Sequence, residues 1–307
     1  DHTLILEQLF KLRMKHEEPY FNFYFDDLRA HYILDFPIAA NIPYANYGIT
    51  MLSDGTGSYS TYKGIKESEY VEFQANWDNY VNSYQNEGML FNWGSDNNGM
   101  PLHKYAPFLT KYANVNYWLQ FPEYLSNTES DTLNADKVNF KITKKNPHAM
   151  YEALDQENLP LFNDAVLSAA ETNIAYYNEQ FIGRDRDILI ITGTNLRGLE
   201  TNVDYIDQVI ADYGDTHYMY FKPHPAYPPD GELNSYFDAN GIITLPHRTP
   251  MEAILWMYPD VYIGGYNSSL YMSSEPGQTL FFFGNITDPL TDLVDVGHFD
   301  NVTYYTI

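Results

Sequence analysis

The second half of the chain alternates between short apolar runs and longer segments of mixed polarity. Asp187–Thr192, with the sequence DILIIT, is a continuous apolar run that predicts a strand buried on both faces. Further strands are predicted at 217–222, 242–245, 261–264 and 279–283, and helices near 200–212, at 231–239, at 250–257 and from 267 onward. This alternation is typical of βαβ units, so we expect a parallel sheet.

The first half has a less regular pattern. Apolar residues at helical spacing predict helices over 3–15 and 65–84, and alternating or apolar runs predict strands at 20–25 and 48–52. The region 85–146 is rich in Asn, Gly and Tyr and predicts short helices and loops. A helix is expected to begin at Pro147, and a longer one to cover about 160–180. The change in pattern places a domain boundary between 157 and 187.

Composition narrows the class of protein. The chain has 307 residues, which suggests two domains, and 44% of them are hydrophobic, which excludes an acidic disordered chain. With 17 Lys and Arg against 41 Asp and Glu, the net charge of −24 argues against binding to nucleic acid or to an anionic membrane. There is no cysteine, which excludes disulfides, thiolate nucleophiles and Cys-rich zinc sites. No apolar run is long enough to predict a transmembrane helix.

Parallel sheets bind ligands at the carboxyl ends of their strands, so the loops that follow the predicted strands carry the candidate chemistry. In the loop after strand 217–222, Pro223 and Pro225 flank His224 and restrict its backbone. A rigidly held His can serve as a general acid or as a hydrogen-bond donor to phosphate. A surface turn with an incidental His is the alternative.

Two further segments could contact a phosphorylated ligand. Gly264 and Gly265 precede Ser268 and Ser269 at a predicted helix start, where free N–H groups and hydroxyls could hold an anion or could simply cap the helix. Glu252 lies in the first turn of the next predicted helix upstream. It could hold ribose hydroxyls or could interact with the helix dipole alone.

Asp54 follows the predicted strand at 48–52 within Ser53-Asp54-Gly55. It could act as a general base, although Asp-Gly is first of all a turn signal. The histidines show no HExxH or other ligand spacing, so we predict no metal site and no cofactor.

Taken in order, these loops resemble the motifs of the bacterial sialyltransferases of carbohydrate-enzyme family eighty. The matching segments are Ser53–Gly55, Ile191–Thr194, Tyr220–Pro225, Pro250–Ala253 and Gly264–Leu270. The resemblance is dense over 187–276 and sparse over 56–186. It implies an α/β protein of the GT-B type, in which two Rossmann-like domains with parallel sheets face each other across a deep cleft.

The resemblance also implies the domains. Residues 1–160 would form the acceptor-side domain, 161–290 the nucleotide-sugar-binding domain, and 291–307 a tail that could pack back on the first domain. Asp54 lies closer to the amino end than the family pattern has it. The resemblance therefore implies a missing upstream βαβ unit and processing from a longer precursor. It also implies a bacterial protein that is cytoplasmic or peripherally membrane-associated, with an undetermined oligomeric state.

The activity implied by the resemblance is an inverting, metal-independent transfer of sialic acid from CMP-sialic acid to a galactose-type hydroxyl. Asp54 would be the base, and His224 with Ser268 and Ser269 would hold the leaving phosphate. Glu252 would hold the ribose. Gly193 and Lys222 would line the cytosine pocket, and Pro225 would also contact the donor. Neutral donors and a His could stabilise the charge that develops on the phosphate without a metal.

This sequence departs from the family pattern at three positions. Ser53 stands where the family has a first acidic residue, Pro223 replaces a Gly, and Arg197 takes the place of a Trp that stacks on the acceptor. Arg197, and Trp93 in the aromatic-rich segment, are therefore the weaker acceptor candidates. Other interpretations stay open: another CMP-releasing GT-B transferase (polysialyl-, Kdo- or teichoic-type) or an inactive sugar-binding module.

Overall fold

The computed structural model describes residues 2–26, 35–52, 59, 71, 75, 114–122, 141–194, 203–229, 231–287, 290–295 and 297–306. The chain divides into two compact units, 1–146 and 147–307. Each unit has its own parallel sheet, four-stranded in the first and six-stranded in the second. The predicted α/β class with two Rossmann-like parallel units is confirmed.

The first unit is built on a sheet with the strand order β1-β2-β3-β4. Its elements are α1 (His2–Lys15), β1 (Phe21–Asp26), α2 (Asp35–Ala39), a 3₁₀ turn (Tyr44–Asn46), β2 (Tyr47–Leu52), β3 (Asn114–Leu119) and β4 (Lys141–Lys144). The predicted first helix and first two strands are confirmed. Strands β3 and β4 are missed by the prediction of loops over 85–146, although the burial of β3 alternates along its length. The predicted helix over 65–84 lies outside the described residues, apart from Val71 and Ala75, which are helical.

The two faces of this first sheet differ in polarity, because successive side chains of a strand point to opposite faces. One face buries Ile49 and Met51 of β2 and Tyr117 of β3. On the other face Thr50 donates a hydrogen bond to Asn22 Oδ1 (3.2 Å), and Thr143 donates one to Asn116 Oδ1 (2.8 Å). Parallel sheets are ordinarily apolar on both faces, so a polar face is a distinctive feature of this unit.

The second unit contains the regular alternation that the sequence predicts. Its elements are α3 (Pro147–Glu152), α4 (Asn158–Ala169), α5 (Ile174–Phe181), β5 (Asp187–Thr192), α6 (Val203–Tyr213), β6 (His217–Lys222), α7 (Gly231–Ala239), β7 (Ile243–Thr244), α8 (Met251–Met257), β8 (Tyr262–Tyr266), a 3₁₀ helix (Ser269–Ser273), β9 (Thr279–Phe283), α9 (Leu290–Asp295) and β10 (Thr303–Tyr305). All five predicted strands are present, and β10 is an addition.

The strand order of the second sheet is β10-β9-β8-β5-β6-β7. The chain starts in the middle at β5, builds outward to β7, then returns to β8 on the other side of β5. This is the doubly wound order, in which the direction of winding changes between β5 and β8. Apolar side chains of β5, β6 and β9, including Leu189, Phe221 and Phe281, pack with α6 and α7 in its core.

One predicted helix is divided in two. The sequence suggests a single helix over about 160–180, whereas the structure has α4 and α5 with a break between them. Glu171 adopts a left-handed backbone conformation (φ 58°), which ends the first helix. Asn173 then caps the second helix by accepting a hydrogen bond from the N–H of Tyr176 (3.1 Å).

The contacts divide the chain earlier than the predicted interval of 157–187. Helix α5 is tied to the second unit, because Tyr177 donates a hydrogen bond to Thr249 (2.7 Å) and Tyr220 donates one to the carbonyl of Gln180 (2.8 Å). The segment 291–307 also belongs to this unit, since β10 pairs with β9. No helix in the described part of the chain is long and apolar enough to cross a membrane.

Candidate functional site

Four of the candidate loops meet at one edge of the second sheet, because all its strands are parallel. The loops follow β5, β6, β7 and β8. The loops after β5, β6 and β8 leave three neighbouring strands in the order β6-β5-β8. About 10 Å therefore separates strand β6 from strand β8. The edge lies at the β5/β8 switch point, where doubly wound sheets leave a crevice for ligands.

Gly193 and His224 lie against each other at the ends of β5 and β6. The N–H of Gly193 donates a hydrogen bond to the carbonyl of Lys222 (2.9 Å), which continues the ladder between the strands. A Cβ atom on residue 193 would lie 3.0 Å from the backbone N of His224, so a larger residue would push the His loop away. The structure therefore brings three of the predicted residues, Gly193, Lys222 and His224, to one place.

The ammonium group of Lys222 is buried at this junction. Lys222 is only 3% exposed. Its Nζ donates hydrogen bonds to the carbonyls of Pro223 and His247, both at 2.8 Å. Burial lowers the pKa of Lys222 to about 8, and the negative charge of Glu252 opposes that shift. Lys222 thus links the His loop to the loop before α8 and carries a positive charge beneath both.

We expect Lys222 to give the protein a specific pH dependence of stability. A folded-state pKa of about 8, against the ordinary 10.5, means that the folded chain binds fewer protons than the unfolded chain between these pH values. The Lys222 contribution should therefore make the free energy of unfolding rise as the pH increases from about 8 to 10.5. Urea denaturation across this range should show a smaller slope in Lys222→Met than in the wild type. The exposed Lys11→Met should keep the wild-type slope, and equal slopes in all three proteins would contradict the prediction.

His224 lies in a tight turn whose geometry sets the position of its proton. The N–H of Tyr227 donates to the carbonyl of His224 (3.0 Å), and the N–H of Ala226 donates to its Nδ1 (3.2 Å). Because Nδ1 accepts, the neutral ring carries its proton on Nε2. Burial, and then the charge of Lys222, lower the pKa of His224. The ring therefore offers an N–H donor without having to be charged. Pro225, in the same turn, is exposed.

The segment after β8 differs from the predicted helix start. Ser269–Ser273 is a five-residue 3₁₀ helix, too short to supply a substantial helix dipole. Ser268 is its N-cap, and its Oγ accepts a hydrogen bond from the N–H of Leu270 (3.3 Å). Asn267 donates to Thr287 (2.6 Å). Both serines are partly exposed. An anion at this loop would therefore be bound by their hydroxyls and not by a helix dipole.

A buried hydrogen-bonded group that sequence reasoning missed holds this loop against β5. Thr192 donates to the carbonyl of Gly264 (3.1 Å), and Tyr271 lies 2.8 Å from the Thr192 hydroxyl. Gly265 has a φ of +150°, and a Cβ there would lie 2.4 Å from Thr192 Oγ1. The glycine is therefore needed for the close approach of β8 to β5. Thr192 ends a predicted strand, but nothing in the sequence marks Tyr271 as its partner.

A cavity of about 320 Å³ lies beside Lys222 on the β7 side of this edge. It is lined by Tyr176, Pro223, Pro228, Pro229, Asn234, Thr244, Leu245, Pro246 and His247. Proline and leucine give it flat apolar walls.

Glu252 is the second residue of α8, which follows Pro250, and is partly exposed.

Three predicted site residues, Asp54, Trp93 and Arg197, lie outside the described residues. So do Ser53 and Gly55, which flank the proposed base. Among the residues that are described, no group of three or more His, Cys, Asp or Glu side chains could hold a metal ion.

No protein-family model and no curated protein matches the sequence. Solved structures do resemble it. One is a 2,6-sialyltransferase from Photobacterium sp. JT-ISH-224, in a ternary complex with the donor product CMP and the acceptor substrate lactose, at 17% identity and a TM-score of 0.62. That match covers 98% of this chain and 65% of the other, so the chain spans about two thirds of the length of that protein.

Two further structures are sialyltransferases from Photobacterium damselae. The GT-B domain of one matches at 17% identity with a TM-score of 0.57, covering 98% of this chain and 83% of the other. The second matches at 16% identity with a TM-score of 0.56, covering 98% and 68%. At such identity the likeness establishes the fold, which is that of GT-B sialyltransferase domains.

Proposed function

We propose that this protein is a sialyltransferase that moves sialic acid from CMP-sialic acid to a galactose-type hydroxyl. The observation that carries the proposal is the convergence of Gly193, Lys222, His224 and Ser268 at one strand edge of the second unit. This edge is the ligand-binding edge of a doubly wound sheet. The likeness in fold to sialyltransferases, one of them crystallised with CMP and lactose, supports the same assignment.

The donor half of the site would bind CMP through neutral donors and a buried cation. The Nε2–H of His224 and the hydroxyls of Ser268 and Ser269 would donate to the phosphate. Gly193, Lys222 and Pro225 would border the cytosine, and the cavity beside Pro223 offers room for a flat ring. Glu252 would accept hydrogen bonds from the ribose hydroxyls.

The charge of the site supports an anionic donor despite the acidity of the whole chain. Lys222 is buried beneath the His loop, where a positive charge is screened less than at the surface. Its attraction for a phosphate therefore acts at short range, whereas the net charge of −24 is spread over the whole chain. As negative charge develops on the departing phosphate, the preorganised donors of His224 and Ser268 would stabilise it.

On the acceptor side, Asp54 would remove the proton from the attacking hydroxyl as it adds to the sugar carbon from which CMP leaves. Attack on the face opposite the leaving group would invert the configuration at that carbon. In the sequence, Asp54 comes shortly after Leu52, the last residue of β2. Arg197 and Trp93 are the proposed acceptor contacts. We propose that no metal and no cofactor take part.

The proposal is tested by incubating the protein with CMP-sialic acid and lactose in the presence of a chelator and measuring CMP release and sialyllactose formation. We expect both products in equal amounts and the same rate with and without chelator. CDP-glycerol and CMP-Kdo serve as alternative donors. Turnover with either of these and none with CMP-sialic acid would overturn the proposal, as would CMP binding without turnover of any donor.

A further inference from the structure

The first unit contains a larger cavity that the proposed transferase site does not use. Its volume is about 560 Å³, and it lies on the polar face of the first sheet. Thr50, in the middle of β2, forms part of its wall, and most of the other residues around it lie towards the amino ends of the strands: Asn22 in β1, Gly48 in β2, Asn114 and Asn116 in β3 and Lys141 in β4. Tyr20, just before β1, forms part of its wall.

The cavity lies away from the carboxyl ends at which parallel sheets carry their catalytic groups. Gly48 and Leu52, near the two ends of β2, are separated by four residues, which is about 13 Å along a strand. Asp54 follows Leu52 in sequence. The cavity therefore lies nearer to the amino ends of the described strands than to their carboxyl ends.

Several polar groups of the lining can form hydrogen bonds with a ligand. Within the described part of the chain, the Asn114 side-chain amide, Asn116 Nδ2, the Tyr20 hydroxyl and Lys141 Nζ make no hydrogen bond or ion pair, whereas Asn116 Oδ1 accepts from Thr143. That bond fixes the orientation of the Asn116 amide and turns Nδ2 into a defined donor. Gly48 has no side chain to fill the floor, and a Cβ there would lie 2.5 Å from the Tyr20 hydroxyl.

This set of groups suits a polyhydroxylated ligand that carries a negative charge. Amides accept and donate to sugar hydroxyls, and the Tyr ring offers an apolar surface to the C–H face of a sugar. Among the described residues, the lining contains one lysine and no carboxylate, although the whole chain has 41 Asp and Glu. A carboxylate on the ligand would therefore pair with Lys141 without facing an acidic residue of the described lining.

We propose that this cavity is a second saccharide-binding site that takes an acidic sugar, with Lys141 bound to the sugar carboxylate and Asn114 and Asn116 bound to hydroxyls. The proposal rests on the chemistry of the lining and does not depend on the transferase activity. Such a site would hold an acidic glycan on the first unit while leaving the carboxyl ends of the strands free for chemistry.

Ligand-observed saturation-transfer NMR tests the site on the whole chain. The probes are sialyllactose and digalacturonic acid, with maltose, which contains no galactose, as the neutral comparison, in the presence of saturating CMP. We expect both acidic probes to bind about tenfold more tightly than maltose, the effect of one charge-assisted hydrogen bond. Lys141→Ala should remove that preference, and Asn114→Ala should weaken all three probes.

The matched control is Lys15→Ala, which removes another exposed lysine of the same unit and should bind as the wild type does. The circular dichroism spectrum and the thermal unfolding midpoint should be unchanged in all three variants, which reports that each is folded. Loss of the acidic preference in Lys15→Ala as well as in Lys141→Ala, or its retention in Lys141→Ala, would overturn the site. Because digalacturonic acid is no product of the proposed transfer, its binding is independent of the outcome of the transferase assay.

Discussion

Replacing Asp54 with alanine is expected to reduce sialic acid transfer by about 10⁴-fold, the upper end of what a general base contributes, and to leave CMP binding unchanged. An acceptor hydroxyl is a poor nucleophile until its proton is removed, and Asp54 is the proposed base on the acceptor side. The proposed donor contacts all come from the second unit, so removing a carboxylate from the first unit should not affect them. Initial rates with CMP-sialic acid and lactose, together with calorimetric titration of CMP, measure the two effects separately.

Two variants control for structural effects of substitution in Ser53-Asp54-Gly55. Asp54→Asn keeps the size and the turn-forming side chain but removes the base, so it should be as inactive as Asp54→Ala. Ser53→Ala changes the neighbouring residue, which stands where the related motif has an acid, and should retain most of the wild-type rate. A normal rate in Asp54→Asn would contradict the assignment. An inactive Ser53→Ala would mean that the reaction requires the local conformation of this segment rather than the carboxylate.

The strands of the second unit could be predicted because each is a short apolar run bounded by polar segments. Asp187–Thr192 and His217–Lys222 have the predicted ends, and their parallel pairing follows from the helix between them. The same pattern predicts which loops lie at the carboxyl edge of this sheet. The break near Glu171 was missed because a left-handed residue that is not glycine leaves little trace in an apolar pattern.

The chemistry of individual residues at the site was less predictable than their placement. In a sequence, a Lys at the end of a strand suggests a solvent-exposed cation. Lys222 is instead buried, and its ammonium group donates hydrogen bonds to two carbonyls from different loops. The partner of Thr192 is Tyr271, 79 residues later, and a contact across that separation depends on the folded topology. Likewise, Ser268 and Ser269 suggest a helix start, but the chain makes a short 3₁₀ turn there. Local sequence predicts which residues reach an edge, and tertiary contacts decide their charge and orientation.

Replacing His224 with alanine is expected to reduce the transfer rate by about 10²–10³-fold, the usual cost of removing one preorganised hydrogen-bond donor. The hydrogen bond from the Ala226 N–H to Nδ1 leaves the proton of the neutral ring on Nε2. That N–H would stabilise the charge that develops on the CMP phosphate as the bond to the sugar breaks. Because this charge is largest in the transition state, kcat should fall more than the affinity for CMP.

Two further substitutions at this position separate the role of the ring from the role of the turn. His224→Asn can still accept from the Ala226 N–H, as the Nδ1 atom does, but it lacks a group at the position of Nε2. His224→Gln places an amide N–H near the Nε2 position. Under the proposal His224→Asn should be as slow as His224→Ala, and His224→Gln should recover part of the lost rate. A wild-type rate in His224→Asn would show that the His contributes the turn and no more. Equal loss in all three variants with normal CMP affinity would require a proton transfer that an amide cannot perform, which would make His224 a general acid rather than a hydrogen-bond donor.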